Sequence, residues 1–349
     1  LGPDDFIIFQ DGVEMPISNF AEFNTEVIRE RMAEAAMTAP AGLPAPREDA
    51  SEPEIKPMWV VLYIDHENLQ ALDRNRVLRR VREFVTENLE KPVEMMVVSY
   101  QRALKVVQPF TSESREVTSA LRGMAKQSTG REESESARKK ILRDMSDARN
   151  QDVGTQNNSQ VGAELELRQQ VAAFAAEEAF NLRLAVDGLR QVIAMMSGID
   201  GRKTVIYVSS GLPMVPGIGL MHDHAMTFHD QTILSLRGRY DQTRIFHELT
   251  SMANAQEVSL YSIDASGLNP LDGMGVENTY SRDPTASSIG SKNYRDSLVY
   301  MAEATGGIAV VNTNDVTGGM ERISSDLYNY YSLGYTVNAS NEDRVHRIK

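Results

Sequence analysis

Residues 59–64 read Trp-Val-Val-Leu-Tyr-Ile, six apolar side chains in a row closed by Asp65. A strand with one face in water alternates apolar and polar residues, so an unbroken apolar run of this length marks a strand covered on both faces. That is the central strand of a parallel sheet. It is followed by Val77, Leu78, Val81, Phe84, Val85 and Leu89 at helical spacing with arginines elsewhere, an amphipathic helix.

The same alternation returns along the chain. Residues 93–99 and 104–107 predict two strands joined by a tight turn at Gln101-Arg102, and Thr111 caps a helix running to about 124. Strands are expected at 203–209, 258–263 and 308–311, with helices at 241–255, 295–304 and 316–327; residues 212–232 and 266–291 read as loops. Residues 330–337 alternate as an outer strand. The pattern is α/β: a doubly wound, mostly parallel six-stranded sheet with helices on both faces.

Two additions flank or interrupt it. Asp11-Gly12 between short apolar runs predicts a β-hairpin within residues 1–22, and 23–57, with an Ala/Glu-rich stretch compatible with a short helix over 23–37 and five prolines after it, reads as a linker. The main domain then spans 58–340, and 341–349 begin a further segment. Leu1 in place of Met reads as the middle of a longer protein. A helical insertion over about 126–180 comprises a charged helix (132–149), a polar loop and the first half of a long helix (164–196), which is expected to project beyond the sheet. Phe174, Ala175, Ala176, Ala179 and Phe180 there either face another subunit or are buried between the inserted helices.

Composition removes several functions. Thirty-six Lys and Arg against 49 Asp and Glu give a net charge of −13, which argues against nucleic acid or an anionic membrane as main partner. The absence of cysteine excludes disulfides, thiolate metal sites and cysteine nucleophiles. No apolar run reaches the roughly 18 residues of a membrane span. Neither a phosphate-binding loop nor a dinucleotide motif is present, and no Gly-x-Ser-x-Gly elbow supports a serine hydrolase.

Sites in doubly wound sheets form at the carboxyl ends of the strands. There the sequence places Asp65-His66-Glu67-Asn68, Ser209-Ser210-Gly211 and Asp264-Ala265-Ser266-Gly267. Their oxygens suit Mg²⁺ or Ca²⁺; alternatively Asp65 and Asp264 cap turns, or Ser210 acts as a nucleophile with Asp65 and Asp264. A second cluster, His222, His224 and His229, would bind Zn²⁺ or Ni²⁺ if the segment is extended, because alternate residues of a strand share a face.

Residues 59–65, the strand 205–209 running into Ser-Ser-Gly, and the run 260–268 (Leu-Tyr-Ser-Ile-Asp-Ala-Ser-Gly-Leu) together resemble the von Willebrand factor A (VWA) domain, and more narrowly the VWFA-related group abundant in acidobacteria. The Asp5-Phe6 to Asp11-Gly12 hairpin, the Gln108-Pro109-Phe110-Thr111 turn, Ala304-Thr305-Gly306-Gly307 and the closing Tyr-Tyr-Ser-Leu-Gly-Tyr at 330–335 match that group. The resemblance implies a metal-ion-dependent adhesion site with a first motif Asp-x-Ser-x-Ser. Here it falls on 65–69, with Glu67 and Leu69 in place of both serines, and Ser209-Ser210-Gly211 stands where Thr-Asp-Gly is usual. A degenerate site at Asp65, Glu67, Ser209 and Ser210 is therefore expected. The resemblance implies a non-catalytic protein-binding or assembly module, exported to the periplasm or cell surface, with other protein subunits as partners and no cofactor; metal-dependent adhesion through Asp65 and Glu67 is the alternative.

Overall fold

The computed structural model describes residues 2–24, 57–89, 92–150, 158–268 and 284–336. The chain forms two compact units, residues 1–55 with 321–349, and residues 56–320. In chain order the elements are β1 (Ile8–Gln10), β2 (Val13–Met15), β3 (Ile17–Phe23), β4 (Met58–Asp65), α1 (Ala71–Asn88), β5 (Val93–Gln101), β6 (Ala103–Thr111), α2 (Ser114–Met124), α3 (Arg131–Asn150), α4 (Asn158–Met195), β7 (Arg202–Ser209), α5 (Ile218–Phe228), α6 (Leu236–Tyr240), α7 (Thr243–Ala255), β8 (Val258–Asp264), α8 (Pro284–Ala304), β9 (Ala309–Val310), α9 (Val316–Tyr328) and β10 (Tyr330–Tyr335).

In the smaller unit β1 and β2 form the expected hairpin. Asp11 and Gly12 both carry positive φ, 52° and 84°, the backbone that a two-residue hairpin turn demands. Strand β10 was expected at the outer edge of the main domain; it pairs antiparallel with β3 in a separate sheet. Phe6, Phe20 and Tyr331 pack there with ring centroids 5.1–5.9 Å apart.

The larger unit holds a six-stranded sheet in the order β6-β5-β4-β7-β8-β9. All neighbours are parallel except β5–β6, which are antiparallel. From β4 the chain moves outward through β5 to β6, then returns to β7 on the other side of β4, so the order reverses between β4 and β7. This is the doubly wound, mostly parallel six-stranded α/β architecture that the apolar runs predict. The unbroken run is buried on both faces: Val60, Val61, Leu62, Tyr63 and Ile64 are all 0–1% exposed. Val61 and Tyr63 join α4, α7 and α8 through Leu189, Phe246 and Leu298.

Three further elements differ from expectation. Helix α5 lies within the predicted loop 212–232, α8 begins at 284 instead of 295, and β9 is shortened to two residues. The inserted helices do not project freely. Leu142 and Met145 of α3, Val171, Phe174, Ala175 and Ala179 of α4, and Leu220, Met221 and Ala225 of α5 form one buried cluster. Phe180 alone of the two expected phenylalanines stays out, at 58% exposed. Of the expected linker 23–57, Phe23 belongs to β3 and residues 25–56 lie outside the described residues, as do the expected helix beyond residue 24, the segment 341–349 and residues 269–283 of the expected loop 266–291.

Candidate functional site

The reversal between β4 and β7 leaves a crevice at their carboxyl ends that no crossover helix fills. Asp65 ends β4 there, and Ser209 and Asp264, direct partners in register, end β7 and β8. Asp65 is fully buried. Its Oδ2 accepts hydrogen bonds from the Tyr207 hydroxyl, from Ser209 Oγ at 3.1 Å and from Asn68 Nδ2 at 2.9 Å, while Oδ1 accepts from the Asn68 backbone N–H at 3.2 Å. Tyr207 and Ser209 reach it together because residues two apart in a strand share a face. Burial nevertheless raises the Asp65 pKa above the ordinary carboxylate value, against the pull of these hydrogen bonds.

Of the other residues of that motif, Leu69 is fully buried, and Glu67 turns to Arg102, with 3.6 Å between charged atoms. Its carboxyl lies where a side chain at position 130 would begin, 2.5 Å from an ideal Cβ, so Gly130 is needed for this approach. Burial is also the main cause of the raised Glu67 pKa. His66 is fully buried with neither ring nitrogen hydrogen-bonded. Burial, and secondarily Arg74, lowers it to about 4, so the ring is neutral near pH 7.

The loop before the insertion is part of the site. Gly130 N–H donates to the His66 carbonyl at 3.0 Å, and Arg74 holds the Gln127 and Ala125 carbonyls at 2.5 and 2.8 Å. These bonds fix Ser128-Thr129-Gly130 beside the end of β4 and bring Arg131, the first residue of α3, into the crevice. Its guanidinium lies 4.2 Å from the Tyr294 ring centroid, a cation–π stack. Tyr294 in turn donates to the carboxylate of Glu178, which also accepts from Gly217 N–H at 3.0 Å. Arg131 borders two cavities. One, of about 520 Å³, is lined by Glu67, Arg102, Glu133, Phe180 and Leu184; the other, of about 340 Å³, by Asp73, Ser210, Ser266 and Arg295. Neither Arg131 nor Tyr207 stands out in the sequence, where one opens a charged helix and the other sits within an apolar run.

Asp264 caps its own turn: Oδ1 accepts from Ser266 N–H at 2.9 Å and Ser266 Oγ at 2.5 Å. Ser210 is 8% exposed, and its Oγ has no hydrogen-bond partner, so no base is poised on it as a nucleophile would need. Gly211 has φ 90°, and a side chain there would collide with the Tyr294 carbonyl, which is why α8 can close so tightly on the strand end.

The histidine segment is helical where an extended strand was expected. At about 100° per residue, His222 and His224 point to opposite sides of α5, His229 is its left-handed C-cap, and His224 Nε2 sits 3.3 Å from the Glu164 carbonyl. The shared face on which that cluster depended does not form. Among the described residues, no three His, Asp or Glu side chains are grouped so as to hold a metal ion, and no helix is long and apolar enough to cross a membrane.

No family model matches the sequence, and no curated protein matches it. Solved structures do show likeness. An aerotolerance-related membrane protein from Bacteroides fragilis aligns with a TM-score of 0.37 at 11% identity, over 77% of this chain and 98% of that one. The vWF domain of the type V pili tip protein Mfa5 from Porphyromonas gingivalis gives 0.39 at 11%, over 79% and 96%. The pilus adhesin SpaC from Lactobacillus rhamnosus GG gives 0.44 at 12%, over 80% of this chain and 31% of the adhesin.

Proposed function

We propose that this chain is a non-catalytic, metal-independent protein-binding or assembly module of VWA type, exported to the periplasm or cell surface, with a degenerate adhesion site at Asp65, Glu67, Ser209 and Ser210. The observation that carries the reading is the use already made of Asp65. A divalent cation needs carboxylate lone pairs directed at open space, and all four hydrogen bonds to this buried carboxylate come from the protein itself. Leu69 offers no oxygen, and Arg131 holds a fixed positive charge in the same crevice. These residues do not fit a hard cation. The surface left for a partner is the exposed ridge of α4, where Phe180 (58% exposed) and Leu184 (38%) border the larger cavity.

Two measurements test this. Calorimetric titration of Mg²⁺, Mn²⁺ and Ca²⁺ into chelator-treated protein should give no saturable heat; binding that disappears in Asp65→Asn would refute metal independence. A photo-crosslinking residue at Phe180 should form protein-sized adducts in the native cell, and one at Ser251 on α7 should not. Equal labelling at both positions would remove the case for the α4 ridge.

A further inference from the structure

The smaller cavity is walled by Arg131 and Ser210, to which the reading above gives no ligand, and by Arg295, which it does not use. It opens between the ends of β7 and β8 and helix α8, on the other side of Arg131 from the α4 ridge. Arg131 and Arg295 bring two guanidinium groups to its wall. Among the described residues that line it, the one carboxylate, Asp73, is already paired with Arg76 at 2.9 Å. Asp264 lies behind its own turn and is 2% exposed. In a chain of net charge −13 this cavity thus gathers two guanidinium groups, with the buried Asp264 acting electrostatically on both.

Ser210 supplies a second, independent observation. Its residue is 8% exposed, it lines this cavity, and its Oγ has no partner. A buried hydroxyl without an acceptor is costly and rare in native proteins. Arg131 is also positioned in advance: it is stacked on Tyr294, and its ion pair with Glu135 is a long 3.8 Å. Arg295 is anchored on the amide oxygen of Asn312.

We propose that this cavity binds a small oxyanion, the carboxylate or phosphate group of a low-molecular-weight ligand, accepting hydrogen bonds from the guanidinium groups of Arg131 and Arg295 and from Ser210 Oγ. Guanidinium forks match the paired oxygens of either group, and the orphaned hydroxyl gains its acceptor. The nearby carboxylates of Asp73 and Asp264 favour one or two negative charges over a polyphosphate.

The test titrates the intact chain with inorganic phosphate, acetate and succinate, each to about 20 mM at constant ionic strength, by calorimetry. Saturable binding of at least one is expected, and the tighter arm names the source: phosphate for a phosphate-bearing ligand, acetate or succinate for a carboxylate. Ser210→Ala and Arg295→Gln should each weaken binding by about tenfold or more, with circular dichroism unchanged. No saturable binding of any of the three anions overturns the proposal, as does affinity unchanged in both variants.

Discussion

Replacing Asp65 with alanine should destabilise the larger unit without any metal being involved. The substitution leaves four donors facing a void. Two of them, the Tyr207 and Ser209 hydroxyls, belong to residues 2% and 0% exposed, and each buried donor left unmatched costs about 1–3 kcal/mol. Asn68 is partly exposed and recovers water. Against this stands the relief of no longer burying a carboxylate, which the raised Asp65 pKa shows to be disfavoured. The net expectation is a loss of roughly 2–4 kcal/mol, and less than half that for Asp65→Asn, which keeps the size and one acceptor oxygen. The pH dependence follows from linkage. A folded pKa above the unfolded value of 3.8 means that the stabilising contribution of Asp65 is full below 3.8 and is lost as pH rises through the folded pKa. The stability gap between wild type and Asp65→Asn should therefore narrow as pH rises. Urea unfolding in EDTA measures both effects, followed by the fluorescence of Trp59, the single tryptophan, which sits in β4 with its indole N–H on the Asp200 carbonyl at 2.8 Å. The reasoning fails if Asp65→Ala costs under about 0.5 kcal/mol in EDTA while Mg²⁺ raises the wild-type midpoint, since Asp65 would then be kept for an ion.

Two further outcomes can be checked on the same instrument. Phe174→Ala should cost about 3–4 kcal/mol and Phe180→Ala less than about 1, although the two lie six residues apart on α4, because the first is 8% exposed and the second 58%; equal losses would contradict the packing of the insertion. His66 is lowered from 6.5 to about 4, so its neutral form supports the fold above pH 6.5, and roughly 3 kcal/mol is lost as pH falls towards 4. His66→Leu should flatten that acid limb, and an imidazole titrating near 6.5 in the folded protein by NMR would contradict the burial argument.

The sheet was legible because parallel strands buried on both faces cannot alternate, so residues 59–64, 203–209 and 258–263 announce themselves. Helix α5 was not. Its segment carries glycines and histidines, its N-cap Gly217 makes no side-chain cap, and Leu220, Met221 and Ala225 are buried against helices distant in sequence; only that packing makes it helical. The strand-end residues Asp65, Ser209, Ser210 and Asp264 were found by the rule that sites lie at carboxyl ends. Which of them remain available was hidden, since that depends on Tyr207 and Asn68 closing around Asp65. Arg131 escaped notice for a related reason: a basic residue opening a charged helix gives no local sign that it will stack on Tyr294, 163 positions away.

The pairing of β3 with β10 has a mechanical consequence. Phe23 faces Tyr330 and Ile17 faces Tyr335, so the flanking chain enters and leaves this pair at the same end. Tension applied through the two termini therefore opens the pair from that end, one hydrogen-bonded step after another, beginning at the register irregularity between Gly334 and Tyr335. Bonds loaded in turn yield at far lower force than bonds loaded together in shear. The β3–β10 pair is accordingly loaded as a zipper when the chain is pulled through both flanks.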